Sequence, residues 1–247
     1  MIAVKRILVG TLLLAVSMNA RAQGSGNDPA ALQILDHMSD VIGELGSCSY
    51  TVNVWRDVND PDLGLVSHFI ANEVHMRGPD KMVIDSKSDV DHRGYWYDGT
   101  TITYYSYNEN NYAAIKAPAT ILETIDAINR DYGIDFPAAD FFYPTFTDDL
   151  IENSDRIVFL GKENVEGRDC FHILAKLKTM GVQLWIANDS LNLPVRYSIV
   201  DYDQKNAPRY EATFSNWQIN PILPSAIFDF VPPAAAAPIR LVPKTSQ

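Results

Sequence analysis

The sequence predicts an α+β chain dominated by antiparallel β-structure: a curved, unclosed β-barrel of about eleven strands with a helical lid. Three observations predict it. Runs with period-two alternation follow one another across short turns on both sides of the chain's centre, as meanders do. Between them, a stretch of helical periodicity carries Ile121, Leu122, Ile125 and Ile128 on one face and needs a sheet to lie on. Six of the twelve tyrosines sit in the strand–turn–strand region 95–112 just before that helix. An antiparallel sheet of so many strands curls, because flat open sheets of that size are unusual.

Residues 1–22 have the form of a cleavable export signal. Lys5 and Arg6 precede an apolar run from Ile7 to Val16, and Ala20-Arg21-Ala22 has the small-x-small pattern of a cleavage site. The apolar run is shorter than the ~20 residues a membrane span needs. No Cys follows it at once, so no lipoprotein anchor is expected. The mature chain then forms one domain over 23–233, with a loosely ordered tail over 234–247 that follows Pro232-Pro233 and contains Pro238. No later segment is apolar enough to span a membrane, so the product is expected to be exported to the periplasm of a Gram-negative envelope and not integral to a membrane. The full chain carries −11, and loss of Lys5, Arg6 and Arg21 takes it to −14. That charge argues against nucleic acid and against docking on anionic lipid.

The first folded element is a helix from Asp28 to Leu45. Asp28-Pro29 supplies an N-cap and first-turn proline, Leu32, Leu35, Met38, Val41, Ile42 and Leu45 recur at helical spacing, and Gly46 ends it. Strands follow over Ser47–Val58, Leu65–Arg77 and Lys81–Ser86, with Gly78-Pro79-Asp80 as a turn. The aromatic hairpin turns at Asp98-Gly99, a type I′ signal. Pro118 opens the central helix, an aromatic-rich loop follows, and Thr147–Asn153 makes a short helical turn whose acids suit a helix N-terminus. The second meander runs Arg156–Val165, Asp169–Leu177, Gly181–Ala187, Pro194–Tyr202 and Arg209–Ile219, and Phe228–Val231 is a short closing strand.

Catalytic signatures are missing: there is no G-x-S-x-G, H-E-x-x-H, C-x-x-C, Walker loop or G-x-G-x-x-G, and no cofactor or metal is implied. The five histidines are scattered; His68 and His75, seven apart in one strand, point to opposite faces. Asp89, Asp91 and His92 form the only acid–base cluster worth weighing, and a solvated turn explains it as well. Asp57-Val-Asn59-Asp60-Pro-Asp62 lacks the glycine and closing glutamate of a calcium loop and reads as a turn. Two cysteines, Cys48 and Cys170, lie in strand-like runs. An oxidising compartment invites a disulfide between them, and two buried hydrophobes are the alternative.

Aromatic content is more informative. Alternation sends about half of these side chains into a core. The rest fit a concave apolar sheet covered by helices, which encloses a pocket. The candidate cavity liners are Tyr50, Val52, Val54, Ile70, Met82, Ile84, Trp96, Tyr104, Ile121, Ile125, Phe141, Phe142 and Trp185.

Several runs carry a family resemblance. They are D-G-T-T-I-T-Y-Y at 98–105, the N-x-Y-A around Tyr112, R-D-Y-G-I-D-F-P-A-A-D-F-F-Y at 130–143, V-E-G-R-D-C-F-H-I-L at 165–174, Q-L-W-I at 183–186, L-P-V-R at 193–196 and F-D-F-V-P-P at 228–233. Together they resemble the periplasmic family DUF2092 over residues 30–240. That family is similar in architecture to the outer-membrane lipoprotein carrier (LolA-like) fold, an unclosed barrel with helices over a hydrophobic cavity. The resemblance implies a binding or carrier protein for a lipid, an acylated lipoprotein or another hydrophobic ligand, and not an enzyme. It equally admits an envelope protein-interaction or stress-sensor module without a transported ligand. It assigns no role to an individual residue, because fold does not carry function by itself.

Overall fold

The computed structural model describes residues 26–244. The export signal expected at 1–22 lies outside the described residues. Two meanders build one sheet. The first contains β1 (Ser47–Asp60), β2 (Gly64–Arg77), β3 (Lys81–Ser88), β4 (His92–Tyr97), β5 (Thr101–Ser106) and β6 (Asn111–Lys116). The second contains β7 (Ser154–Val165), β8 (Arg168–Leu177), β9 (Met180–Ala187), β10 (Pro194–Asp201) and β11 (Arg209–Ile219). A two-residue β12 (Ala237–Pro238) completes twelve strands in the order β12-β6-β5-β4-β3-β2-β1-β11-β10-β9-β8-β7.

β1 is the hinge of this order. It pairs with β2 along its whole length and with β11 on its other side, so the first and last long strands join the two meanders. β6 and β7 end up at opposite edges, and the sheet curls without closing. The chain between them must cross the inner face, and that crossing carries the lid: α2 (Ile121–Tyr132), a 3-10 turn at Ala139–Phe142 and α3 (Phe146–Asn153). The N-terminal α1 (Pro29–Gly43) packs on the same face through Ala31, Leu35, Met38 and Ile42.

Local chemistry sets the helix ends. The Ala30 N–H donates to Asp28 Oδ1 at 2.9 Å, capping α1 ahead of Pro29. Glu44 provides the C-cap, so Gly46 lies beyond the helix rather than ending it. Thr120 caps α2: the Glu123 N–H donates to Thr120 Oγ1, whose own O–H donates to Glu123 Oε2. Pro118 therefore sits outside the helix it was expected to open, and its carbonyl accepts the Tyr97 hydroxyl at 2.7 Å. Gly133 closes α2 in the left-handed region at φ 67°.

Alternation orients the strands. Tyr50, Val52 and Val54 of β1 face the helices with Val74, Met82, Ile84, Tyr95, Tyr97 and Ile102 of the strands beside them. The hairpin at Asp98 is not type I′, because only Gly99 takes positive φ, at 94°. The Asp98 carboxylate accepts the N–H groups of Thr100 and Thr101 at 2.8 and 2.9 Å and holds the turn instead.

The C-terminal segment differs from expectation. Phe228–Val231 is not a strand; Ser225–Phe228 is a 3-10 turn that buries Phe228 completely under the Arg77 guanidinium, 5.1 Å from the ring centroid. Phe230 then packs on the outer face against Trp96, Tyr105 and Tyr112 at 5.0, 5.7 and 5.5 Å. The tail over 234–244 is tied down. β12 runs parallel to β6, the Ile239 N–H donates to the Tyr112 carbonyl at 2.7 Å, and the Lys244 N–H donates to Asp131 O at 2.7 Å. Pro238 is tolerated there because it lies on an edge strand.

Candidate functional site

One half of the inner face is filled. Tyr50 stacks on Phe142 at 5.9 Å and meets Trp217 at 4.4 Å. Phe141 wedges edge-on against Tyr197 and Phe214, at 5.3 and 5.6 Å, and touches Phe146 at 4.9 Å. These rings hold the lid loop against the sheet.

Beyond that plug the face is open. A cavity of about 1160 Å³ lies between the sheet and the lid. Its floor is made by Val54, Ile70, Asn72 and Ser86 of β1–β3 and by Val182, Tyr197, Ile199 and Tyr210 of β9–β11. Its roof is Ile125 of α2, Phe136–Ala139 of the loop, and Phe146 and Leu150 of α3. The floor residues share one phase of the alternation: Asn72 pairs with Ser86, Tyr197 with Leu184 and Tyr210 with Ile199. Two hydrogen bonds brace the roof. The Tyr143 hydroxyl donates to Asp126 Oδ1 at 2.5 Å, joining the loop to α2, and Ser39 meets Thr147 at 2.8 Å, joining α1 to α3.

Burial governs the electrostatics here. It pushes the phenols of Tyr197 and Tyr210 up, and nearby Asp140 adds to both shifts, so these groups stay neutral donors. Tyr143 is pushed up by burial and by its bond to Asp126. Asp140 keeps contact with solvent through the mouth, yet the protein crowded around its carboxyl pushes the pKa up; a hydrogen bond from the Tyr197 hydroxyl offsets this in part. The cavity thus offers apolar walls, neutral hydroxyls and carboxylate acceptors. Among the described residues, no group of three or more His, Cys, Asp or Glu is placed to hold a metal.

Of the thirteen expected liners, Val54, Ile70 and Ile125 line the open cavity. Tyr50, Val52, Met82, Ile84, Ile121 and Phe141 are buried in the packed part of the same inner face, with Tyr104 and Phe142 half-buried against it. Trp96 and Trp185 do not face inward. Their neighbours Tyr95, Tyr97, Leu184 and Ile186 take the inward phase, which leaves both indoles outside. Trp96 packs on Phe230, and Trp185 stacks on His172 at 4.4 Å while donating to Glu163 at 2.9 Å. Cys48 and Cys170 are free; the disulfide is not made, because one lies in the main core and the other in a small cluster with Val165, Ala187 and Val195. The cluster at Asp89, Asp91 and His92 does not converge either. His92 Nε2 sits 2.9 Å from Asp85 Oδ1 and its ring stacks on Tyr107, while Asp91 pairs with Arg93.

Sequence reasoning missed Asn72, Tyr197, Tyr210 and Asp140 as liners. The strand phases contained the signal for the first three; Asp140 is set by the lid loop's path, which has no periodicity to read.

No match is found among curated proteins. Among solved structures the chain is similar to an uncharacterized conserved protein from Thermus thermophilus, at 10% identity and a TM-score of 0.48, covering 85% of this chain and 99% of that one. It is similar to the lipoprotein LppX from Mycobacterium tuberculosis at 17% identity and a TM-score of 0.41, covering 80% and 99%. It is also similar to the LolA superfamily protein NE2245 from Nitrosomonas europaea at 11% identity and a TM-score of 0.37, covering 81% and 97%. No helix among the described residues is long and apolar enough to cross a membrane. A family model described as a predicted periplasmic protein matches residues 31–242, and the chain belongs to that family, DUF2092.

Proposed function

We propose that this protein is exported to the periplasm, sheds residues 1–22, and there binds or carries the apolar part of a lipid, an acylated lipoprotein or another hydrophobic molecule. The observation that carries the reading is the cavity of about 1160 Å³ between an apolar sheet face and a braced helical lid. Small-molecule sites span ~300–1,000 Å³, so the space suits an acyl-sized guest. A packed barrel interior would have been filled by side chains, as the half around Phe141 is. Its walls supply burial rather than a nucleophile with a base beside it, so the reading is of a binding protein and not an enzyme.

The test is uptake of a neutral fluorescent hydrophobe by delipidated mature protein. Saturable uptake that is displaced by long-chain lipids supports the reading. Absence of uptake at any concentration below probe aggregation overturns it.

A second reading, an envelope interaction module, is favoured by one observation. Trp55 and Phe69 face each other across β1 and β2 on the outer side, and about half of each remains exposed, beside exposed Leu65. A partner retained from an envelope extract by the native protein, and lost on Trp55→Ser with Phe69→Ser, would support it; retention that survives both changes would count against it.

A further inference from the structure

We propose that the segment from Asp229 to Lys244 is a latch on the lid. It clips along the free side of β6 and ends as the C-cap of α2, so its release loosens the roof and lets a guest in and out of the cavity. The latch regulates the binding site proposed above and rests on that reading.

The segment leaves a fixed point and then stays on the surface. Phe228 is fully buried, but no residue from Asp229 to Lys244 is; Phe230, Ala236 and Leu241 are half-buried and the others exposed. Backbone hydrogen bonds hold it in two places. Along the edge of β6, the Ala237 N–H donates to Asn110 O at 3.0 Å and the Ile239 N–H to Tyr112 O at 2.7 Å. On α2, the Lys244 N–H donates to Asp131 O at 2.7 Å. The Phe230 ring on Trp96, Tyr105 and Tyr112 is its apolar hold. A segment with exposed hydrogen bonds and little buried apolar surface opens locally, at a fraction of the free energy of global unfolding.

The far end of the segment acts on the lid. An α-helix leaves its last carbonyls without intrahelical partners. In α2 the Gly133 N–H donates to Asn129 O at 2.8 Å, and the Asp131 carbonyl takes its donor from Lys244. The Lys244 side chain lies over Gly133, in the space a Cβ there would fill, so an ammonium stands at the negative end of the helix dipole. The turn capped in this way has little else beneath it. The buried residues of α2 are Ile121, Thr124, Ile125 and Ile128; beyond them Asn129 and Arg130 are exposed and Tyr132 is half-buried. That turn is also part of the roof. Asn129 lines the cavity, and its Nδ2 donates to Asp135, where the lining loop 135–139 begins. Loss of the cap therefore frays Asn129–Tyr132 and frees the loop it steadies, while the strands below keep their pairing.

The test uses the full mature chain, delipidated, and its Lys244→Pro variant, which removes the N–H donor and the ammonium together. Hydrogen exchange read by mass spectrometry follows the amides of 129–136 and of β1. Stopped-flow fluorescence follows release of bound 1-N-phenylnaphthylamine into excess tetradecanol. In Lys244→Pro the amides of 129–136 should exchange, and the probe should leave, about three- to tenfold faster, while β1 keeps its native protection. Lys244→Ala keeps the N–H and should fall between the native protein and Lys244→Pro. In the native protein the amides of Ile239 and Lys244 should exchange faster than those of β1. Unchanged exchange over 129–136 overturns the cap, and faster exchange there with unchanged probe release overturns the gate. Loss of β1 protection in both variants would make the segment part of the cooperative core and overturn the latch. If the native protein takes up no probe, the binding reading itself falls, and exchange over 129–136 still decides whether Lys244 caps α2.

Discussion

Phe141 is the wedge that separates the filled half of the inner face from the open half, and Phe141→Ala tests that division. The ring is 2% exposed and touches Phe146, Tyr197 and Phe214. A buried phenylalanine removes ~150–250 Å² from water, worth about 4–6 kcal/mol at ~25 cal/mol per Å². That figure uses an extended unfolded chain, and a compact one lowers it by ~10–40%, to roughly 2.5–5.5 kcal/mol. Large-to-small core changes of this kind cost ~3–5 kcal/mol, so the two routes agree. Equilibrium urea unfolding is the assay. With m near ~3 kcal/mol per M, the midpoint should fall by roughly 1–1.7 M at unchanged m. Phe142→Ala, from a half-buried position against Tyr50, should cost less. A loss below about 1 kcal/mol for Phe141→Ala would mean that the lid loop does not pack as described, and the division of the inner face would go with it.

Further expectations follow from single residues. Burial pushes the Cys48 thiol up to about 12, so at pH 8 a thiol reagent should leave it unmodified in the folded protein, and both cysteines should label in urea without reductant; a mass loss of two hydrogens that reductant restores would contradict this. Asp140 has its folded pKa raised above the unfolded value, so its contribution is intact below the unfolded pKa of ~3.9 and is lost as pH rises through the folded one. Asp140→Asn should therefore raise Tm at pH 7 and leave it unchanged near pH 3, and a rise of equal size at both pH values would refute the burial cause. Phe228→Ala, on the outer face, should cost ~3–5 kcal/mol in the same urea assay, because the 3-10 turn at Ser225–Phe228 buries that ring completely. Thr120→Ala should cost ~1 kcal/mol by removing the cap of α2.

The strands were legible because period-two alternation is a local property. The alternating run Arg209–Ile219 coincides with β11 residue for residue, and most other alternating runs match their strands within two or three. Helix α1 was legible from Asp28-Pro29 and its apolar stripe. What the sequence concealed was long-range. Nothing local says that Ala237-Pro238 reaches back to Asn111 and Tyr112, since a proline–alanine run has no period and its partner lies more than a hundred residues away. Phase also misled where it was not carried through. Tyr95 and Tyr97 were already inward, so Trp96 had to be outward, and treating all aromatics as one group hid that. The cysteines illustrate a third limit: compartment chemistry invites a bond, but only strand order places Cys48 and Cys170 apart. Strand phase gives the inner face, yet which part of it stays open depends on where Phe141 and Phe142 fall, and loop paths carry no repeating pattern.

On the proposed function, the cavity is open and holds an apolar guest in the periplasm. Native mass spectrometry of the mature chain purified from its own envelope, followed by organic extraction, tests it most directly. A protein that carries a guest has a mass above that of the polypeptide, and extraction yields a lipid or acyl species equal to the difference. A clean polypeptide mass that gains nothing on exposure to lipids would contradict it and leave the outer face around Trp55 and Phe69 as the place where this protein acts.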